Sequence, residues 1–351
     1  MFALALVLIM AVGFAAHRAS LCTVRAVAEV LDHGSAHMLA SFLKAAAWTA
    51  LVSGLLVFAM QGSLYPATQR APYWLALAGG LLFGVGAGVN GSCALSTMQR
   101  LADGEVTMLA TLLAFVGGLL AWLSWIEPLS GHLTRALPVR LAPGMPWAPV
   151  LLAVLSVWGV WEAVQVWRIE HGDSHGPPQS APPSMPPLFA PPPQAPPPQA
   201  PPPDPTARNV HPVLRDRWSL PAAALVMGVA GGLLYTLQGG WTYTNFLRGE
   251  ATAWLGQGMS PGALLVGMGL SSWQRRSFAL RLPPMPVLMR SLAGGLLMGL
   301  GAAILPGGND TLVLIAIPTL APNALGVYAA VLAGATLTLL LLRGGRRVGV
   351  N

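Results

Sequence analysis

Charge is what this sequence has least of. Only 9% of its 351 residues are Asp, Glu, Lys or Arg, against about 25% in an ordinary soluble domain, which excludes a water-soluble globular protein of this length. Cysteine is nearly absent as well. Two residues, Cys22 and Cys93, cannot build a disulfide framework, and no Cys/His spacing of the kind that holds zinc or an iron–sulphur cluster accompanies them, so no metal and no other cofactor is expected. No GxxxxGK[ST] loop is present, which excludes ATP hydrolysis by that route. Once the apolar runs are set aside no soluble catalytic domain is left over, and the chain is not expected to be an enzyme. The net charge of +7 does not imply nucleic acid, because the basic residues are scattered at the ends of apolar runs, as membrane insertion requires. The first run starts at Phe2 with no basic residue before it and so reads as a retained span, not a signal peptide.

What is present is apolar surface, at 54% of residues. The runs define an all-α polytopic membrane protein with about nine transmembrane helices, at roughly 2–16, 36–60, 72–90, 105–124, 146–168, 219–238, 252–272, 288–305 and 320–342. After the first, third, sixth and eighth of these the pattern breaks at glycine, proline or polar residues and resumes for only about ten residues, which predicts short re-entrant half-helices. Pairs such as Gly79-Gly80, Gly117-Gly118 and Gly294-Gly295 let helix backbones approach closely.

The glycine-rich stretch recurs. Ala78 to Ala94 reads AGGLLFGVGAGVNGSCA and Ala293 to Asn309 reads AGGLLMGLGAAILPGGN, with eight of 17 positions identical and no gap. This predicts a tandem duplication. A fifth span between the copies makes the second enter the bilayer from the opposite face, giving two inverted repeats, a recurrent transporter architecture. The expected organisation is a first membrane repeat at 1–124, a connecting loop and fifth span at 125–170, a proline-rich cytoplasmic linker at 171–217, a second repeat at 218–343 and a cytoplasmic tail at 344–351. Residues 177–205 hold 16 of the 32 prolines and read as an extended spacer. With loops assigned to alternating sides, 14 arginines fall on one side and four on the other. The richer side is expected to be cytoplasmic, with the N-terminus outside and the C-terminus inside.

Few residues carry chemistry. Cys93 follows Gly91-Ser92 at the start of a predicted half-helix, where unpaired backbone donors can hold an anion without a charged side chain; the alternative is a small packing residue. If 18–31 is one helix, Arg18, Cys22, Arg25 and Glu29 share a face, and the two guanidiniums flank a thiol where they could attract an oxyanion. The other reading makes both arginines topology signals and Arg25–Glu29 an ordinary helix ion pair. Lys44 is expected to snorkel to the cytoplasmic surface, Glu162 to sit among interfacial tryptophans, and Asp310 to cap the helix that follows it.

Four stretches together carry a family likeness: Gly13 to Arg25 with Cys22, Gly79 to Cys93, the Gly239-Gly240-Trp241-Thr242-Tyr243-Thr244 turn, and PGGNDTLVLIAIP from Pro306 to Pro318. In that order the sequence resembles the YeeE/YedE sulphur-transport family of bacterial inner-membrane proteins. The resemblance implies thiosulfate uptake through an hourglass-shaped protein whose central cysteine thiols make transient hydrogen bonds to the ion. Cys22 and Cys93 match family cysteine positions. In the second half Gly308 stands opposite Cys93, and Trp241 or Thr242 stands near the counterpart of Cys22, so the thiol relay is confined to one half. The expected substrate-binding residues are Cys22, Cys93, Ser92, Gly91, Thr242, Gly308 and Asn309, with Arg18 and Arg25 for anion attraction. The expected partners are a small sulphur-containing solute and the lipid bilayer. The alternative function is a membrane-bound persulfide relay serving a cytoplasmic sulphurtransferase; a third is a structural membrane subunit whose cysteines only pack.

Overall fold

Apolar runs of this length must satisfy their backbone polar groups internally, and they do so as helices. The computed structural model describes residues 2–60, 67–69, 73–126, 137–139, 148–171, 218–239, 242–244, 259–305, 307–321 and 323–348. Its helices are α1 (Phe2–Ala19), α2 (Thr23–His33), α3 (His37–Ala59), α4 (Tyr73–Asn90), α5 (Ala94–Ala102), α6 (Thr107–Ala121), α7 (Ala148–His171), α8 (Leu220–Gln238), α9 (Met259–Gln274), α10 (Met285–Ile304), the single turn α11 (Asn309–Thr311) and α12 (Ala324–Val348). Wider π-helical turns continue α6 over Trp122–Ile126 and α11 over Leu312–Ala316. One small antiparallel pair, β1 (Ala67–Gln69) and β2 (Leu137–Val139), joins the loops after α3 and α6, with Thr68 opposite Pro138.

The protein is an all-α polytopic membrane protein. Among the described residues eight helical stretches are long and apolar enough to cross a bilayer. The ninth expected span, 252–272, coincides with α9 from Met259 onwards, and its first residues lie outside the described set. So do the proline-rich segment, Gly240, Trp241 and Pro306. Short helices do follow the first and third spans, as α2 and α5, and α11 with its π turn follows the eighth.

Helix pairing follows a regular scheme. The dominant contacts are α1 with α8, α4 with α10, α3 with α8, α1 with α9, α6 with α10 and α4 with α12. Exchanging α1 with α8, α3 with α9, α4 with α10 and α6 with α12 maps this set on to itself. The seams obey the same exchange residue by residue. A β-carbon on Gly86 would lie 2.7 Å from the Gly294 carbonyl oxygen, and one on Gly301 would lie 2.7 Å from that of Gly79. Gly80 approaches Val327 and Ala330 of α12, as Gly295 approaches Thr111 and Ala114 of α6. The glycine pairs thus form the contact surfaces, since backbones this close leave no room for a side chain.

Packing adds a partner that neither residue showed alone: the Lys44 side chain stays 33% exposed, and its Nζ lies 2.6 Å from Oε1 of Glu162, whose side chain is buried. The pair ties α7 to α3, beside the tilted rings of Trp48 and Trp158, so Glu162 has a partner within the protein as well as its tryptophans. A carboxylate and an ammonium in hydrocarbon each carry a large desolvation cost, which falls when they neutralise one another.

Candidate functional site

The first half-helix begins where α1 stops. Ser20 takes a left-handed conformation (φ 50°), the Leu21 amide returns to the Ala16 carbonyl at 3.1 Å, and Cys22 becomes the N-cap of α2. Residues 18–31 are therefore not one helix, and the expected shared face of Arg18, Cys22, Arg25 and Glu29 is not formed. Arg18 belongs to α1, where its guanidinium donates to Gln274 and lies 5.0 Å from the centre of the Phe14 ring. Arg25 donates back to the Ser20 carbonyl at 3.3 Å. Glu29, instead of pairing with Arg25, accepts from the Ser35 hydroxyl at 2.8 Å and from the Met38 amide at 3.1 Å.

The second half-helix is prepared by a polar turn. Gly91 has φ 73°, in the left-handed region that favours glycine. The Asn90 amide donates to Ser92 Oγ at 2.8 Å and accepts from Thr111 Oγ1 at 3.0 Å, while Thr97 Oγ1 caps the Cys93 carbonyl at 2.9 Å. Ser92 is buried and engaged within this turn. Cys93 is the N-cap of α5.

Two helix starts and two thiols thereby meet. Both cysteines are free and buried. Ser96 Oγ donates to Cys22 Sγ at 3.1 Å, and the Cys93 thiol lies beside that sulphur. The sulphur of Cys22 thus sits where the starts of α2 and α5 meet, and helix starts are places that suit an anion.

The third helix start is α11. Asn309 Nδ2 donates to Thr23 Oγ1 at 2.8 Å, linking the second half to the residue after Cys22, and Asn309 Oδ1 is buried with no partner among the described residues. The Gly308 amide gives its hydrogen to Thr244 Oγ1 at 2.7 Å. Asp310 does not simply cap its own helix: Oδ1 accepts from Thr244 Oγ1 at 2.6 Å and Oδ2 from the Thr244 amide at 3.3 Å. Thr242 meets Thr311, hydroxyl to hydroxyl, at 2.7 Å. Of the expected site residues, Cys22, Cys93 and Asn309 converge, Gly91 and Ser92 shape the turn beneath them, and Thr242 and Gly308 join a separate hydroxyl–carboxylate cluster.

Sequence reasoning overlooked Ser96, Thr244 and Tyr243, as well as a buried network around His17. Ser96 had a legible signal, lying three residues after a helix-start cysteine on the same face. His17 Nδ1 is 2.8 Å from Ser271 Oγ and Nε2 is 3.0 Å from Asp103 Oδ1. Asp103 also accepts from Ser272 at 2.8 Å and Ser277 at 2.5 Å, and its carbonyl receives the Ala279 amide at 2.9 Å. This network fastens the loop after α5 to the segment after α9.

Burial opposes the charge on Asp103, but the hydrogen bonds from His17, Ser277 and Ser272 outweigh it and hold the carboxyl below its ordinary value. A depressed folded-state value gives stability that is present above the unfolded value, near 3.8, and is lost as pH falls through the folded one. Asp103→Asn is accordingly expected to melt earlier than wild type at neutral pH in detergent, with the gap beginning to close near the unfolded value and vanishing only in acid below the depressed folded one. A constant offset between them at every pH would show that the charge contributes nothing.

Helices of membrane-spanning length, with half-length pieces that begin beside buried thiols, define a multi-pass membrane protein handling a small solute. A family model described as sulphur transport matches residues 18–337, and the chain belongs to that family, the YeeE/YedE family. Its role is sulphur transport. No match was found among curated proteins.

Proposed function

We propose that the protein moves thiosulfate, or a closely related sulphur-containing anion, across the bacterial inner membrane along a path between two inverted repeats, 1–124 and 218–343. The observation that carries this reading is the meeting of two helix starts and two buried thiols around the Ser96–Cys22 hydrogen bond. A terminal thiosulfate sulphur is, like a thiol sulphur, large, polarisable and a weak hydrogen-bond acceptor. It can take over the Ser96 hydroxyl, with the Cys93 thiol beside it, as Cys22 moves aside. Partial charges at a helix start attract the anion without a fixed cation to trap it, which suits passage better than storage. Asn309 and Thr242 extend the polar lining towards the second repeat. The reciprocal helix pairing supports the repeat reading, and the arginine distribution supports an outer N-terminus and a cytoplasmic C-terminus.

The test is uptake of radiolabelled thiosulfate into proteoliposomes of the purified protein, competed with sulfite, sulfate, selenite and small thiols. Saturable uptake is expected. No uptake of the label and no effect of any competitor would overturn the proposal.

Proximity of the two thiols also fits a persulfide relay, in which Cys93 takes a sulphane sulphur from thiosulfate and releases sulfite. A persulfide on Cys93 found by mass spectrometry, with no solute movement and with transfer to a cytoplasmic sulphurtransferase, would favour that reading.

A further inference from the structure

Asp310 is buried and belongs to the wall of an internal cavity between α1, α8, α9 and α11. The wall is otherwise apolar, with Val12, Leu95, Met227 and Leu264 facing in from α1, α5, α8 and α9. Its other polar members are Thr242 and Tyr243, and among the described residues no lysine, arginine or histidine lines it. Thr244 donates to both carboxylate oxygens. The Tyr243 hydroxyl, buried and without a hydrogen-bond partner among the described residues, stands within electrostatic range of both Asp310 and Cys93. Among the described residues, the titratable groups around Asp310 are thus Tyr243 and, beyond it, Cys93.

An anion entering this pocket meets the carboxylate, and among the described lining residues no cation offsets the like charge. A bound proton removes the repulsion, and an uncompensated carboxyl in an apolar wall readily takes one. We infer that Asp310 is a proton-binding site and that the protein moves its anion together with a proton taken up on one side of the membrane and released on the other. The hydrogen bonds from Thr244 do not forbid this. A protonated carboxyl retains acceptor capacity for the Thr244 donors. Tyr243 then relates the protonation state of Asp310 to occupancy at Cys93. The inference rests on the transport reading above.

The experiment uses wild-type proteoliposomes, with the membrane potential clamped, an acid exterior differing by about one pH unit, and labelled thiosulfate as the probe. One coupled proton sets an accumulation ratio of about tenfold at equilibrium, and an internal pH dye reports acidification when thiosulfate is added without an imposed gradient. Asp310→Asn, which keeps the side-chain shape and mimics the neutral acid, is expected to equilibrate the label without accumulating it. Asp310→Glu is expected to restore accumulation. Wild-type uptake with neither accumulation nor acidification overturns the coupling and leaves the transport reading intact, and an accumulating Asp310→Asn variant removes Asp310 from it. Absence of any wild-type uptake overturns both.

Discussion

Cys93→Ala is expected to reach the membrane folded and to take up thiosulfate between about ten and a hundred times more slowly than wild type. The residue caps α5 through its backbone, and its side chain makes no capping bond, so alanine leaves the helix start in place. What disappears is the thiol beside Cys22. Loss of a hydrogen bond to a charged group costs about 1.5–3 kcal/mol, and each 1.36 kcal/mol is about tenfold in rate. The shortfall therefore belongs in the transport rate, with only a minor change in melting temperature. Initial-rate uptake together with thermal unfolding in detergent separates the two. Uptake at the wild-type rate would take the thiol out of the pathway, whatever the fate of the fold.

Adjacent glycines on α6 are expected to respond in opposite ways. A β-carbon on Gly118 would overlap the Leu296 carbonyl oxygen of α10 and stand 3.0 Å from the Leu300 nitrogen, whereas nothing lies within 4 Å of the same position on Gly117. The obstacle at Gly118 is backbone, which cannot swing aside as a side chain can. Gly118→Ala must push α6 away from α10, a strain of about 1–3 kcal/mol or more. Gly117→Ala is neutral, or gains up to about 1 kcal/mol from better helix propensity. Unfolding of the two variants in mixed micelles tests this, and equal stability would mean that the α6–α10 seam yields.

The contrast shows where the sequence was informative. The gapless likeness between 78–94 and 293–309 located Gly79-Gly80 and Gly294-Gly295 as matching packing surfaces. The Gly117-Gly118 pair was visible only as a pair of small residues, since which of two neighbours faces α10 depends on helix rotation. The half-helices after Ala16 and Asn90 were legible for a related reason: broken hydropathy at membrane depth has few structural solutions. Family pattern marked the two thiols, but the donor to Cys22 Sγ comes from Ser96, 74 positions away. Lys44 and Glu162 were each read alone, because their partnership spans 118 positions and depends on how α7 docks. The arginine face failed at one residue: a left-handed Ser20 ended the helix that the spacing assumed.

The Thr244 hydroxyl on the Gly308 amide also bears on substitution in the second half. At position 308 a β-carbon would stand 2.8 Å from Thr244 Cγ2 and 2.9 Å from Asp310 Oδ1. Any side chain at position 308 therefore requires Thr244 or Asp310 to move, so what residue 308 can become is coupled to residue 244 and cannot change alone.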